Sequence, residues 1–357
     1  MSRALGDDAL ASIKSGDSQT VYHDIVEAVC SNSSLDLLEI EFLGKCHSPS
    51  ANCNVLVDGN CIAIPKVKLV QAFVIARQIL FTSLKDSLND NNQDIRNSTT
   101  VILLTDPEHL TAANARKKLI QRYQTQSPED LERALIKELA FTESLLTSPL
   151  HRHSKSPTLW GHRRWLLETC RNSGLQHDLH RDLKVVLVSA ERHPRNYYAW
   201  SHMRWVLQHL YHGDETGTLW GLSVKLAASE RLKVLSVVKD WCLRHPGDTS
   251  GWSFLLFLLF TLNPSEKYSE SEHPIVVNSS ICKEVLDLAI SFKWTHESLW
   301  VFLRTLVASG KLTEEQRSAF FRTLRGAIGD YPDKSRSRKV LQISFDWCAE
   351  NERKIRS

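Results

Sequence analysis

A tryptophan-centred segment recurs along this chain, and its period constrains the fold more than any other feature. Around Trp160 the residues read Ser154-Lys-Ser-Pro-Thr-Leu-Trp-Gly-His-Arg-Arg-Trp-Leu-Leu; around Trp200 they read Pro194-Arg-Asn-Tyr-Tyr-Ala-Trp-Ser-His-Met-Arg-Trp-Val-Leu. Trp252 follows an Arg-His-Pro at the same offset as the Arg192-His-Pro before Trp200. Trp300 closes the series in Trp294-Thr-His-Glu-Ser-Leu-Trp-Val-Phe-Leu-Arg, and Ala113-Asn-Ala-Arg-Lys-Lys-Leu-Ile is a degenerate first copy with alanine at the anchor. The intervals are 47, 40, 52 and 48 residues.

The sixth and seventh residues after each anchor are apolar in all five copies, from Leu119 and Ile120 to Leu306 and Val307. An anchor with apolar partners seven residues on forms one stripe of a helix. A second amphipathic segment precedes the anchor, as in Leu131 to Leu146 before Trp160 and Leu183 to Ala190 before Trp200. The unit is therefore a helical hairpin, and stacked hairpins of this length make an all-α superhelix. Ser156 suits the N-cap of an anchor helix and Pro157 its first position. Trp160, Trp200, Trp252 and Trp300 are read as packing wedges, each burying ~200 Å² against a neighbouring hairpin.

Outside the repeats the pattern changes. Residues 1 to 30 read as a helical lead-in through Leu10, Ile13, Val21, Ile25 and Val29. Leu38, Ile40 and Phe42 alternate with glutamates, and residues 54–57 and 61–64 flank Asp58-Gly59-Asn60, so a small β-hairpin region is expected. Residues 65 to 84 return to helical spacing through Val67, Val70, Phe73, Ala76 and Leu80. Residues 85–100 are polar and read as a linker. The expected organisation is an N-terminal region over 1–100, repeats over 101–312, and two capping helices over 313–357, Thr313 to Ile328 and Ser335 to Arg353.

Composition removes several function classes. A net charge of +3 across 357 residues supplies no concentrated basic face for nucleic acid. The longest strongly apolar run, Phe254 to Leu262, falls short of the ~20 residues that cross a bilayer, so no membrane span is expected. Asp7 and Asp8 sit where a leader peptide avoids acid, which points to the cytoplasm. The eight cysteines form no CxxC pair and read as reduced thiols. Cys46-His47, Cys53 and Cys61 match no zinc spacing, and no metal site is expected in this chain.

The pattern Pro/Ser-x-Asn/Ser-Tyr-x-aliphatic-Trp-x-His-x-Arg, strongest at Pro194 to Arg204 and good at Ser154 to Arg164, resembles the repeat of protein prenyltransferase α subunits. The non-repeat N-terminal region and eroded first copy are most like the branch of α-subunit repeat-containing proteins. The resemblance implies a crescent of hairpins around a separate β subunit that carries the catalytic zinc and the isoprenoid diphosphate. No DDxxD motif and no clustered Asp/Cys/His site occur here, so the chain is not expected to act alone. The β partner implied is of the kind used by Rab geranylgeranyl transferase, and the reaction is geranylgeranyl transfer to a C-terminal protein cysteine. The resemblance makes Lys155, five residues before Trp160, the cation facing the diphosphate leaving group, where charge grows as the thiolate attacks. It puts Arg195, Asn196, Tyr197 and Tyr198 at the mouth of the active site as substrate-binding residues. One departure stands out: Pro157 occupies the position of a family tyrosine. A non-catalytic scaffold built on the same repeats is the alternative. Lys117, Arg164, Arg204 and Arg304 recur four residues after the anchor and are expected to brace adjacent hairpins through carboxylates.

Overall fold

The computed structural model describes residues 17–30, 37–44, 53–85, 92–125, 127–175, 178–210, 227–261 and 273–356. Among these, fifteen helices and one three-stranded sheet give an all-α repeat fold with a small β region. Two compact units, Met1–Val206 and Leu207–Ser357, cut across the division into 1–100, 101–312 and 313–357.

The first unit holds α1 (Ser18–Cys30), β1 (Glu39–Leu43), β2 (Leu56–Asp58), β3 (Cys61–Pro65), α2 (Lys66–Lys85), α3 (Asn92–Thr105), α4 (Leu110–Gln124), α5 (Pro128–Thr147), a single turn α6 (His151–Ser154), α7 (Pro157–Asn172) and α8 (Leu179–Arg192). It also holds the start of α9 (Tyr197–His209). The second unit contains α10 (Ala228–Arg244), α11 (Thr249–Thr261), α12 (Pro274–Ser291), α13 (Glu297–Ala308), α14 (Glu314–Gly329) and α15 (Arg336–Arg356). The expected hairpin forms: β2 and β3 pair antiparallel with Asp58 opposite Cys61, and Gly59 takes the left-handed φ of 58° that the tight turn requires. β1 adds parallel to β3, giving the order β1-β3-β2. Sheet and repeats are joined within this unit, because the Leu38 amide donates to Ser144 Oγ at 3.0 Å and Arg192 pairs with Glu39 at 2.7 Å.

The N-terminal region departs from expectation at its linker, while the helix expected over 65 to 84 forms as α2. The polar stretch 85–100 is no simple linker, since α3 begins at Asn92 and buries Ser98, Thr99 and Thr100. Each of these hydroxyls donates to a carbonyl four residues back, at 2.6 to 2.9 Å, so the helix satisfies the polarity that suggested a loop. In α2 the core face is Leu69, Ala72, Ala76 and Leu80, while Val67, Val70 and Phe73 are only partly covered. By length and composition α2 is also the one described helix apolar enough to span a membrane, which a search for uninterrupted apolar runs overlooks. It packs here between α1 and α3.

The repeats share one geometry. The helix start lies four residues before each anchor, at His109, Ser156, Asn196, Asp248 and His296, and the anchor N–H donates to that residue's carbonyl in all five copies. The first four cap with their side chains, as Ser156 does by accepting from the Leu159 amide at 3.0 Å. Trp160, Trp200, Trp252 and Trp300 are 1–3% exposed, consistent with wedges. Three of their indole N–H groups reach the carbonyl six residues back: Trp160 to Ser154, Trp252 to Pro246 and Trp300 to Trp294, at 2.8 to 3.1 Å. The residue two after an anchor then covers the ring of the preceding one within each unit. His202 lies 4.9 Å from Trp160, and Phe302 lies 4.8 Å from Trp252.

The recurring cations divide their work differently from the expectation. Lys117, Arg164 and Arg304, four after the anchor, lie over the rings of Trp165, Trp205 and Trp347 at 5.3 to 5.7 Å. Carboxylates are bridged instead by the residues three after the anchor, Arg116 and Arg163, which are almost fully buried. Arg116 grips Glu138 with two bonds of 2.7 Å, and His162 adds a third contact at 2.8 Å. Arg163 joins Glu143, at 2.6 Å, to Asp182. Burial alone would raise the Glu138 carboxyl, but Arg116 and the His162 hydrogen bond outweigh it and hold the pKa far below the carboxylate range. One position on the helix surface thus faces aromatic rings, and its neighbour, turned by 100°, faces the core.

Candidate functional site

The residues singled out in the sequence lie on the two loops that enter α7 and α9. The first loop is built by α6. Lys155 is its C-cap, with its amide donating to His151 O at 3.3 Å, and Ser156 begins α7 at once. The second runs from His193 to Asn196, with Arg195 in the left-handed region at φ 59°. A non-glycine residue there costs strain that surrounding contacts must overcome.

Two side chains cross between the loops in opposite directions. Lys155 Nζ donates to the carbonyl of Pro194 at 3.1 Å. Asn196 Nδ2 donates back to Ser154 O and to Ser189 Oγ, both at 2.9 Å, while its Oδ1 caps α9 through the Ala199 amide at 3.3 Å. The two loops are therefore fixed together at both edges.

The five site residues then separate by burial. Asn196, expected among the substrate contacts, is fully buried and its amide is engaged in these bonds, so it positions the loops from beneath. Arg195 and Tyr197 are exposed, the latter at 64%; Lys155 and Tyr198 are half-buried, and the two tyrosine rings meet edge to face at 5.1 Å. An ammonium has three donors, and the carbonyl of Pro194 takes one, leaving two for an anion at the loop surface.

Sequence reasoning missed His151 and His193, whose rings meet at 5.2 Å beside the same loops. Burial, the neighbouring His151 and Lys155 push His193 below its ordinary value, so a neutral imidazole sits next to the cations. The only sequence signal was the histidine density of residues 151–153. His153 itself points away: its ring bonds the Leu103 and Leu104 carbonyls at 3.1 and 2.9 Å, and burial pushes its pKa to about 4. Pro157 opens α7 as an apolar ring. Among the described residues no three His, Cys, Asp or Glu side chains converge on a possible metal position, and Cys46 and His47 lie outside those residues. The buried thiols are raised, Cys170 to about 11 and Cys282 to about 12, by loss of solvent.

Hairpins with a capped, tryptophan-anchored second helix and a cationic loop at its entrance define a helical-hairpin repeat protein. Residues 135–170 match the protein prenyltransferase alpha subunit repeat, and residues 159–285 match the ECM9 middle domain. Protein prenyltransferase alpha subunit repeat-containing protein 1-B of Xenopus laevis is 30% identical over 268 residues, covering 68% of this chain and 54% of the relative. The repeat-containing protein 1 of Homo sapiens is 31% identical over 268 residues, with 68% and 58% covered. Protein ECM9 of Saccharomyces cerevisiae is 25% identical over 230 residues, with 63% and 56% covered. The chain spans a little over half the length of these curated relatives. At the level of family, the chain is similar to proteins that carry the prenyltransferase alpha subunit repeat.

Proposed function

We propose that this chain is the α subunit of a two-subunit protein prenyltransferase, inactive alone, which completes the active site of a β subunit. The observation that carries this reading is the Lys155 ammonium, fixed on the Pro194 carbonyl beside Arg195 with donors to spare. When a cysteine thiolate attacks the first carbon of an allylic diphosphate, negative charge develops on the departing group, and a cation already held in position stabilises it without reorganisation. Arg195 supplies a fork suited to phosphate oxygens. Tyr197 and Tyr198 border the same loops and would contact the isoprenoid or the acceptor peptide. The zinc that activates the thiolate belongs to the β subunit in this reading, because this chain's described residues offer no ligand set. A geranylgeranyl donor, a β subunit of the Rab geranylgeranyl transferase kind and a cytoplasmic setting complete the proposal.

The test is co-expression with prenyltransferase β subunits followed by purification on a tag carried by this chain. A 1:1 complex that prenylates a C-terminal cysteine is expected, and Lys155→Ala should lower its turnover about a hundredfold while assembly is retained. Absence of any such complex refutes the proposal. A second reading, a non-catalytic scaffold, is favoured by Pro157, which supplies no hydroxyl at the family's tyrosine position. Unchanged activity of the β subunit with and without this chain would support it.

A further inference from the structure

Helix α2 carries a second apolar stripe that the fold leaves only partly covered. Its core face, Leu69, Ala72, Ala76 and Leu80, packs against α1 and α3. On the opposite side Val67, Val70, Val74, Arg77, Phe81 and Leu84 follow one another at alternating spacings of three and four residues. That is the a/d spacing of a coiled-coil seam over three heptads. Val74, Phe81 and Leu84 are 44%, 42% and 40% exposed, Val67 and Val70 are half-buried, and Arg77 lies 5.6 Å over the Phe81 ring. Covering such side chains removes apolar surface from water, so a solvent-facing row of them along a 20-residue helix is a surface suited to binding.

The charges on α2 select the occupant. Every ionisable residue in the helix is basic: Lys66, Lys68, Arg77 and Lys85, with no Asp or Glu among its 20 residues. A second copy of α2 laid along the stripe would oppose these cations with their own kind, which disfavours self-pairing. An acidic helix meets one cation at each margin of the seam, Lys66 in a g position and Lys85 in an e position at opposite ends, while Arg77 in a d position adds a third cation on the seam itself.

We infer that α2 is the docking surface for an acidic amphipathic helix of another protein, laid along the stripe from Val67 to Leu84. The site is separate from the loops at Lys155 and adds a partner beyond a catalytic β subunit. A membrane surface is the competing occupant, but a helix lying in an interface needs a broad apolar face, and α1 and α3 leave only a seam two residues wide.

The probe is a fluorescent three-heptad peptide with leucine at a and d and glutamate at e and g, compared with its twin carrying lysine at e and g. Anisotropy titration of the full chain should show micromolar binding of the acidic peptide and at least tenfold weaker binding of the lysine twin. Val74→Ser with Phe81→Ser, two half-exposed positions, should weaken the acidic peptide about tenfold while helicity by circular dichroism is retained. Lys66→Glu with Lys85→Glu, an independent pair, should reverse the preference between the peptides. Equal binding of the two peptides, or none, overturns the inference. So does stripe-dependent sedimentation with phosphatidylserine vesicles, or stripe-dependent dimerisation in analytical ultracentrifugation, without peptide binding.

Discussion

The Lys155 ammonium donates to the Pro194 carbonyl at 3.1 Å, an acceptor that lies six residues before the Trp200 anchor. In the copies anchored on Trp160, Trp252 and Trp300, the carbonyl at that offset accepts the copy's own indole N–H. The third copy therefore gives a structural acceptor to a lysine from the copy before it, and a repeat made for packing acquires a fixed cation at its surface. Asn196 makes the return connection from below. Its replacement by alanine removes a cap and the hydrogen bonds to Ser154 and Ser189, which should cost about 2–3 kcal/mol in urea unfolding. A loss under about 0.5 kcal/mol would show that the two loops hold together without it.

Trp252→Ala should be among the most damaging substitutions in the second unit. The ring is 1% exposed, packs against Phe302 at 4.8 Å and donates to Pro246 O at 3.1 Å. Thermal unfolding should register a loss of about 3–5 kcal/mol. Trp165→Ala, whose ring is only partly buried under Lys117, should cost markedly less.

Gly251 precedes that anchor because Trp241 fills the space a side chain would need. A Cβ there would collide with Trp241 Cζ3, and the same indole is stacked on His245 at 4.1 Å. Gly251→Ala should destabilise by about 1–3 kcal/mol, although alanine is the better helix former. Calorimetry that found a stabilised protein would mean the Trp241 ring moves freely.

Arg163 is expected to be a single point of failure beneath the candidate site. Arg163→Met removes the guanidinium shared by the buried Asp182 and Glu143, while Arg181 still reaches Glu143 at 2.7 Å. The cost should be about 3–5 kcal/mol, because two buried carboxylates lose the guanidinium that joins them. Adding Asp182→Leu to the same chain should recover part of it, and a double-mutant cycle measures how much.

Acid should act in two stages. His153 is held neutral, with its pKa depressed to about 4 from an ordinary value near ~6.5. Between those limits the unfolded chain binds a proton that the folded chain does not, so stability falls as pH drops through the window, by on the order of 3 kcal/mol when complete. Glu138 acts lower down: its folded pKa lies far below the unfolded one, so its contribution is present above the unfolded carboxylate value and is lost as pH falls beneath it. Unfolding free energies measured from pH 7.5 to pH 4.5 should therefore decline, and His153→Gln should flatten that slope by about one proton.

The repeat was legible because its signal is periodic. Trp160, Trp200, Trp252 and Trp300, with apolar residues six and seven positions on, could form only one stripe of a helix, and that settled hairpins, order and the capping role of Ser156. The β-hairpin around Gly59 was equally local. What the sequence left open required two segments at once. The polarity of Ser98, Thr99 and Thr100 signals a loop until their hydroxyls are seen to bond within α3, with those of Thr99 and Thr100 also accepting from Arg116. Cations three and four residues after an anchor look interchangeable on paper; the neighbouring helix offers one of them carboxylates and the other a tryptophan ring. Lys155 and Asn196 likewise both read as polar residues of an entry loop, five and four positions before their anchors, and only the approach of the 154 and 194 loops makes one a half-buried cation and the other a buried tie. Periodicity is a property of one helix, so the chain carries it alone; burial and partner choice depend on residues of other helices and loops, which only the packed structure brings together.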